Sequence, residues 1–250
     1  MVSLRTGTLI ALVSPILIMP PMEAKAEDGG NALPSNFTGN VGFVTDYVFR
    51  GITQSNEVPA LQAGVDYTYD LDETTAFYLG FWGTNVNFND GDEATLETDW
   101  YGGFRKKIDN WSFDLGAIYY LYPGADNDLN YNFLELQAKA GYDFGVASAT
   151  ASVNYSSDYF AGSGNALYTK LSAAVPLPHD FVLNGYVGHQ TIDDNAAFAV
   201  PDYTDYGAGV SYTYKGDWSL SLNYIGTDLS HSECTDGCGE RVVFGITKTF

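Results

Sequence analysis

From Asn40 to Phe250 the chain repeats one unit: ten to twelve residues alternating apolar with small or polar side chains, then a turn, then another such run. Alternation with a period of two is what a strand shows when its two faces meet different surroundings. Leu61, Ala63, Val65, Tyr67 and Tyr69 alternate with Gln62, Gly64, Asp66 and Thr68, and Trp111, Phe113, Leu115, Ala117 and Tyr119 alternate with Ser112, Asp114 and Gly116. Twelve runs can be read, at residues 40–52, 59–71, 75–86, 95–108, 111–122, 132–142, 147–158, 166–175, 181–191, 202–214, 218–227 and 240–250. Their connections alternate in length. Short turns fall at Asp72 to Thr74, Asp109-Asn110, Asp143 to Val146, Pro176 to Asp180 and Lys215 to Asp217, and longer acidic loops at 53–58, 87–94, 123–131, 159–165, 192–201 and 228–239.

An even strand count with strictly alternating short and long connections is the pattern of a transmembrane antiparallel up-and-down β-barrel, because all turns of one kind emerge on one side of the bilayer. A soluble sandwich has no such reason to alternate. The turns also fix register. A two-residue turn at Asp109-Asn110 places Ile108 beside Trp111, Phe104 beside Leu115 and Arg105 beside Asp114. A three-residue turn at Lys215 to Asp217 places Tyr214 beside Trp218, a pair suited to an interfacial aromatic girdle.

The amino terminus reads as an export signal: Arg5, an apolar run from Leu9 to Met19, then Ala24-Lys25-Ala26, a small-x-small cleavage site. The run is broken by Ser14 and Pro15 and is well short of the roughly 20 residues a spanning helix needs. The expected organisation is a signal peptide at 1–26, a short segment at 27–39 and an outer-membrane barrel at 40–250. A net charge of −20 speaks against nucleic acid as a partner. Tyrosine (19), phenylalanine (15) and tryptophan (4) are plentiful, as at a lipid–water boundary. The last run, Val242, Phe244, Ile246, Lys248 and Phe250, alternates and ends on an aromatic residue; Lys248 can snorkel there.

The segment from Gly39 to Ser55, with Asp46-Tyr47-Val48-Phe49-Arg50-Gly51-Ile52-Thr53-Gln54 inside it, resembles the opening of the TorF-type porin family of proteobacteria, with Thr45 where that family carries Ser. Gly80 to Val86, Tyr119 to Gly124 and Ser156 to Phe160 are further echoes. The resemblance spans nearly the whole mature chain. It implies an outer-membrane location and a porin role, and the final strand resembles the signal that such barrels present to their insertion machinery.

If the greasy faces meet lipid, the opposite parity lines the interior. That face holds Asp46, Arg50, Asp66, Glu97, Asp99, Arg105, Asp114, Glu135, Lys139, Lys170, Asp205 and Arg241. These are the candidate pore-lining residues, since rings of charge select among ions; the alternative is that they pair off and plug the interior. Arg50, at the end of the first run, and Arg241, at the start of the last, are expected to form a basic spot near the outer mouth with Asp46 below it.

Cys234 and Cys238 read as a disulfide in an oxidising compartment; a metal site drawing on His231 is the other reading, and it lacks a clear fourth ligand. No cofactor is expected. The acidic loops suit solvation and divalent-bridged contact with lipopolysaccharide, or calcium held by Asn87, Asn89, Asp90, Asp92 and Glu93, although that spacing matches no recognised calcium loop. The expected function is passive passage of small solutes or ions. The rivals are a structural or adhesive barrel and a lipid hydrolase, for which His189 is the only base near the outer rim, with Thr191 rather than Ser two residues along.

Overall fold

The computed structural model describes residues 36–89, 91 and 94–250. The expected signal peptide, most of the segment after it, and three of the candidate calcium ligands (Asp90, Asp92 and Glu93) lie outside the described residues.

Among the described residues fourteen strands follow one another: β1 (Phe37–Val44), β2 (Val48–Phe49), β3 (Ile52–Thr53), β4 (Ala60–Asp70), β5 (Thr75–Asn85), β6 (Leu96–Ile108), β7 (Trp111–Leu121), β8 (Phe133–Asp143), β9 (Ser148–Ser156), β10 (Ala166–Leu177), β11 (Phe181–Ile192), β12 (Tyr203–Tyr214), β13 (Trp218–Thr227) and β14 (Arg241–Thr249). Twelve of them close into an antiparallel barrel in which each neighbours the next, and β1 pairs with both β4 and β14. Closure leaves no sheet edge with unpaired amides and carbonyls, the condition for a sheet to exist in hydrocarbon. The turn-based register holds: Ile108 faces Trp111, Phe104 faces Leu115, Arg105 faces Asp114, and Tyr214 faces Trp218.

Why these residues form strands is visible in their two faces. Outward positions carry large apolar side chains that the fold leaves uncovered, among them Leu61 at 66% exposure, Leu115 at 64% and Leu171 at 57%. A uniform apolar belt of that extent would be a liability in water. Rings gather toward its short-turn rim: Trp111 meets Tyr142 at 4.8 Å between centroids, and Tyr142 meets Phe144 at 4.7 Å. Inward positions are polar, small or aromatic, with Trp82, Tyr120 and Tyr203 fully buried, so the core of the molecule is the lumen.

One element departs from the sequence reading. The first run was expected to stay in the barrel wall from 40 to 52, but β1 ends at Val44, and residues 45–55 turn into the lumen with β2 and β3 as a two-stranded hairpin. Its turn is Arg50-Gly51, with φ of 47° and 81°. Positive φ at both central residues is the hairpin turn whose twist matches its strands, and glycine adopts it without strain. Space demands glycine as well, because a Cβ on Gly51 would lie 2.9 Å from the Asp205 Cβ and 3.2 Å from the Gly226 carbonyl oxygen. The first long connection therefore runs from 45 to 59 rather than from 53 to 58.

Candidate functional site

The hairpin crosses the barrel interior and is tied to several strands. At its tip the Arg50 guanidinium donates from Nη2 to both Glu135 oxygens on β8 (2.6 and 2.7 Å) and from Nη1 to Gln190 Oε1 on β11 (2.6 Å). It also lies over the Tyr168 ring of β10, 4.3 Å from the centroid. Arg50 is 3% exposed and Glu135 1%, so the pair is desolvated and its hydrogen bonds are charge-assisted, with one nitrogen serving both carboxylate oxygens. At the base, the Tyr47 hydroxyl donates to Glu97 of β6 (2.6 Å), and its ring meets Trp82 edge-on at 5.5 Å. Asp46 accepts from Thr53 Oγ1, from Ser55 Oγ and from Arg241 Nη1 of β14 (2.9 Å). The Thr53 amide donates to the Gly237 carbonyl (2.9 Å), inside the loop closed by the Cys234–Cys238 disulfide. The cysteine pair is thus a disulfide, and its loop rests on the hairpin.

The basic spot expected from Arg50 and Arg241 does not form. Once the chain leaves the wall after Val44, Arg50 is carried across the lumen to Glu135, while Arg241 stays at the wall and pairs with Asp46, with Glu57 at 3.5 Å. Each cation ends on its own carboxylate.

The remaining candidates sort by depth. Glu97 and Asp99 are buried below the hairpin base, 1% exposed each, and both Asp99 oxygens lack a hydrogen-bond partner among the described residues. Trp82, directly opposite Asp99 in the β5–β6 ladder, has an equally unpartnered indole N–H. Asp66 accepts from the Tyr101 hydroxyl (2.8 Å), and Asp205 from the Tyr168 hydroxyl (3.0 Å). Toward the short turns Arg105 pairs with Asp114 (3.1 Å) and lies over the Tyr78 ring, with Lys139 across from Asp114 on β8. Lys170 sits over the Tyr186 ring at 5.4 Å.

Above the hairpin the long loops pack a cluster of rings that the sequence reading did not anticipate. Phe88 meets Tyr122, Tyr131 and Phe160 at 5.4 to 5.7 Å; Phe133 meets Tyr159, and Tyr159 meets Phe198. These rings come from four different connections and, for Phe133, from the first residue of β8, and their apolar side chains in otherwise acidic loops were the available signal. The acids themselves serve as local braces. Asp194 accepts from the amides of Ala196 and Ala197, and Asp228 from the Thr204 amide. Glu233 accepts from the Ser230 hydroxyl and amide, which holds its carboxyl below the usual range.

The opposite side of the lumen is lined differently. From β9 to β14 and on to β1, most inward positions below the charged level of Lys170, Asp205 and Arg241 are small or neutral, such as Ser172, Gly207, Ser221 and Gly245, and they leave a cavity of about 130 Å³. It extends from Ser219 and Ala174, near the short turns, up to Asp46, Tyr47 and Val48 of the hairpin. On the outer face His189 Nδ1 lies 3.1 Å from Thr204 Oγ1, its only hydrogen-bond partner among the described residues.

A closed antiparallel barrel with an apolar exterior and a polar, partly filled interior has the architecture of the porin-type barrels. The chain belongs to a family described as bacterial protein of unknown function (Gcw_chp), whose pattern matches residues 28–250. No curated protein matches it. Among solved structures it is similar to an outer-membrane channel from Pseudomonas putida F1, at 13% identity and a TM-score of 0.57, over 90% of this chain and 100% of that one. It is also similar to the NanC porin (12% identity, TM-score 0.54, 86% of this chain and 98% of that one). A third likeness is to the KdgM porin in complex with disordered oligogalacturonate (6% identity, TM-score 0.53, 86% and 99%). At these identities the likeness is one of fold.

Proposed function

We propose that the protein is an outer-membrane, porin-like channel for passive diffusion of small solutes or ions, narrowed from within by residues 45–55. The observation that carries this reading is the cavity, which follows one wall of the lumen from the short-turn end to the hairpin. The apolar belt and the fold shared with a channel and two porins support it. So does the TorF-type resemblance, because its most specific segment, Gly39 to Ser55, includes the narrowing hairpin.

In this reading residues 1–26 direct export, and the strand ending at Phe250 engages the insertion machinery. The termini and short turns face the periplasm. The acidic long loops face outward, where divalent ions bridge them to lipopolysaccharide. No catalytic role is assigned: His189 meets a threonine and no carboxylate that would orient it as a base.

Planar-bilayer recording of the purified protein tests the channel. Wild type gives small, discrete current steps. Releasing the hairpin with Arg50→Ala and Glu135→Gln together enlarges them, since the ties to β8 and β11 are removed. A second reading, a non-conducting structural or adhesive barrel, is favoured by the hairpin's ties to β6, β8, β11 and β14. It wins if the wild-type trace stays flat.

A further inference from the structure

Of the groups that line the cavity, amides and hydroxyls supply the polarity: Asn40, Gln62, Asn184, Ser221, Asn223 and Thr247. Among the described residues, neither Lys, Arg nor His lines the cavity, and Asp46 is the one carboxylate that does. That carboxylate is already committed to the Arg241 guanidinium and to the hydroxyls of Thr53 and Ser55. Most charged residues of the lumen lie instead against the β4–β8 wall or at hairpin level, and the cation on the cavity's own side, Lys170 of β10, is held over the ring of Tyr186. Asn40 adds a reserve of hydrogen bonding, since its Oδ1 has no partner among the described residues.

Such a lining discriminates by chemistry. An ion leaving bulk water needs a compensating charge or a ring of aligned dipoles at close range, and the cavity holds neither in uncommitted form. An uncharged polyol needs only acceptors and donors spaced along a wall small enough to admit it, and serine, glycine and asparagine provide that. From this we infer that the cavity is the solute site of the channel and that its solutes are small, uncharged, polyhydroxylated molecules rather than ions. The inference rests on the channel reading and adds the solute class and the wall it follows.

The test uses the full mature protein reconstituted into liposomes and planar bilayers, with arabinose as the uncharged probe and a KCl gradient as the ionic one. Swelling in arabinose with a reversal potential near zero is the expected result. Ser221 lies across from Ser211 and Gly245, so Ser221→Phe places a ring into the cavity. It should slow arabinose uptake about tenfold, while Ser221→Thr leaves uptake within about twofold of wild type. A strongly ion-selective current without arabinose uptake overturns the inference and leaves the channel standing. Undiminished uptake by folded Ser221→Phe, judged by heat-modifiable gel migration, overturns it too. Absence of flux for both probes removes the channel reading and the inference together. Should Ser221→Phe fail to fold, the two wild-type measurements still decide.

Discussion

The two walls of the lumen are built by the same two-residue period and do opposite things with it. Along β4 to β8 the inward positions carry Asp66, Tyr78, Trp82, Glu97, Asp99, Tyr101, Tyr120 and Glu135, bulky or ionisable groups that fill the space and hold the hairpin. Along β9 to β14 they are largely serine, threonine, asparagine and glycine, and the space stays open. Backbone pairing is continuous through both. Ladder hydrogen bonds and the outward apolar belt therefore fix the barrel, while inward side chains decide where it is solid, so stability and permeability can be separated by mutating one wall at a time.

The largest difference should come from Arg50. Arg50→Ala leaves Glu135 buried without its cation, a change that typically costs about 3–5 kcal/mol. Urea unfolding in detergent, followed by tryptophan fluorescence, measures it. Replacing both partners with leucine should recover more than half of the loss, because no orphaned charge remains. If Arg50→Ala is nearly neutral, the hairpin is not anchored by this pair and the filled wall is less rigid than its contacts imply.

That hairpin is also where reading the sequence fell short. The barrel was legible because alternation is local: each strand announces its two faces, and turn length then fixes the neighbour, as Arg105 beside Asp114 illustrates. The segment from Thr45 to Ile52 keeps the same alternation, so nothing in its period separates a wall strand from a hairpin folded inward. The signal lay in Gly51, which follows a charged residue in the middle of an apolar run and is where the turn needs positive φ. Parity could be read for the charged residues but their partners could not, except where one short turn joins them, and Asp46 and Arg50 left the wall with the hairpin. Arg50 and Glu135 are 85 residues apart in sequence, and Phe88 meets Phe160 from a different loop; no periodicity carries such distances.

A second effect runs the other way. Asp99 is buried with both oxygens unpartnered, beside Glu97 on the same face of β6. Asp99→Asn removes a buried charge at nearly constant volume and puts an amide opposite Trp82, so it should stabilise the barrel by about 1–2 kcal/mol. A loss of stability would mean that the carboxylate is satisfied by a partner outside the protein, and the crowded wall would then hold a bound ion or water. On the open wall, Ser172→Ala should change stability by less than about 0.5 kcal/mol, since its hydroxyl makes one long bond to the Thr150 carbonyl. An effect as large as that of Arg50→Ala would erase the contrast between the walls.

The smallest effect lies outside the lumen and separates acid titration of the turns from that of the interior. In the β4–β5 turn the Asp72 carboxylate accepts from the Thr74 amide and hydroxyl, which holds its pKa down to about 2, against 3.8 for an unperturbed aspartate. A folded-state value below the unfolded one means that the ionised turn stabilises the barrel above the unfolded pKa, and that the gain disappears as pH falls from near 4 toward 2. Because Asp72 is fully exposed, the gain is small and salt-sensitive. Wild type and Asp72→Asn should therefore differ slightly in unfolding midpoint at pH 6 and converge by pH 2. Hairpin release should instead be read from bilayer current at fixed pH, where this turn contributes nothing.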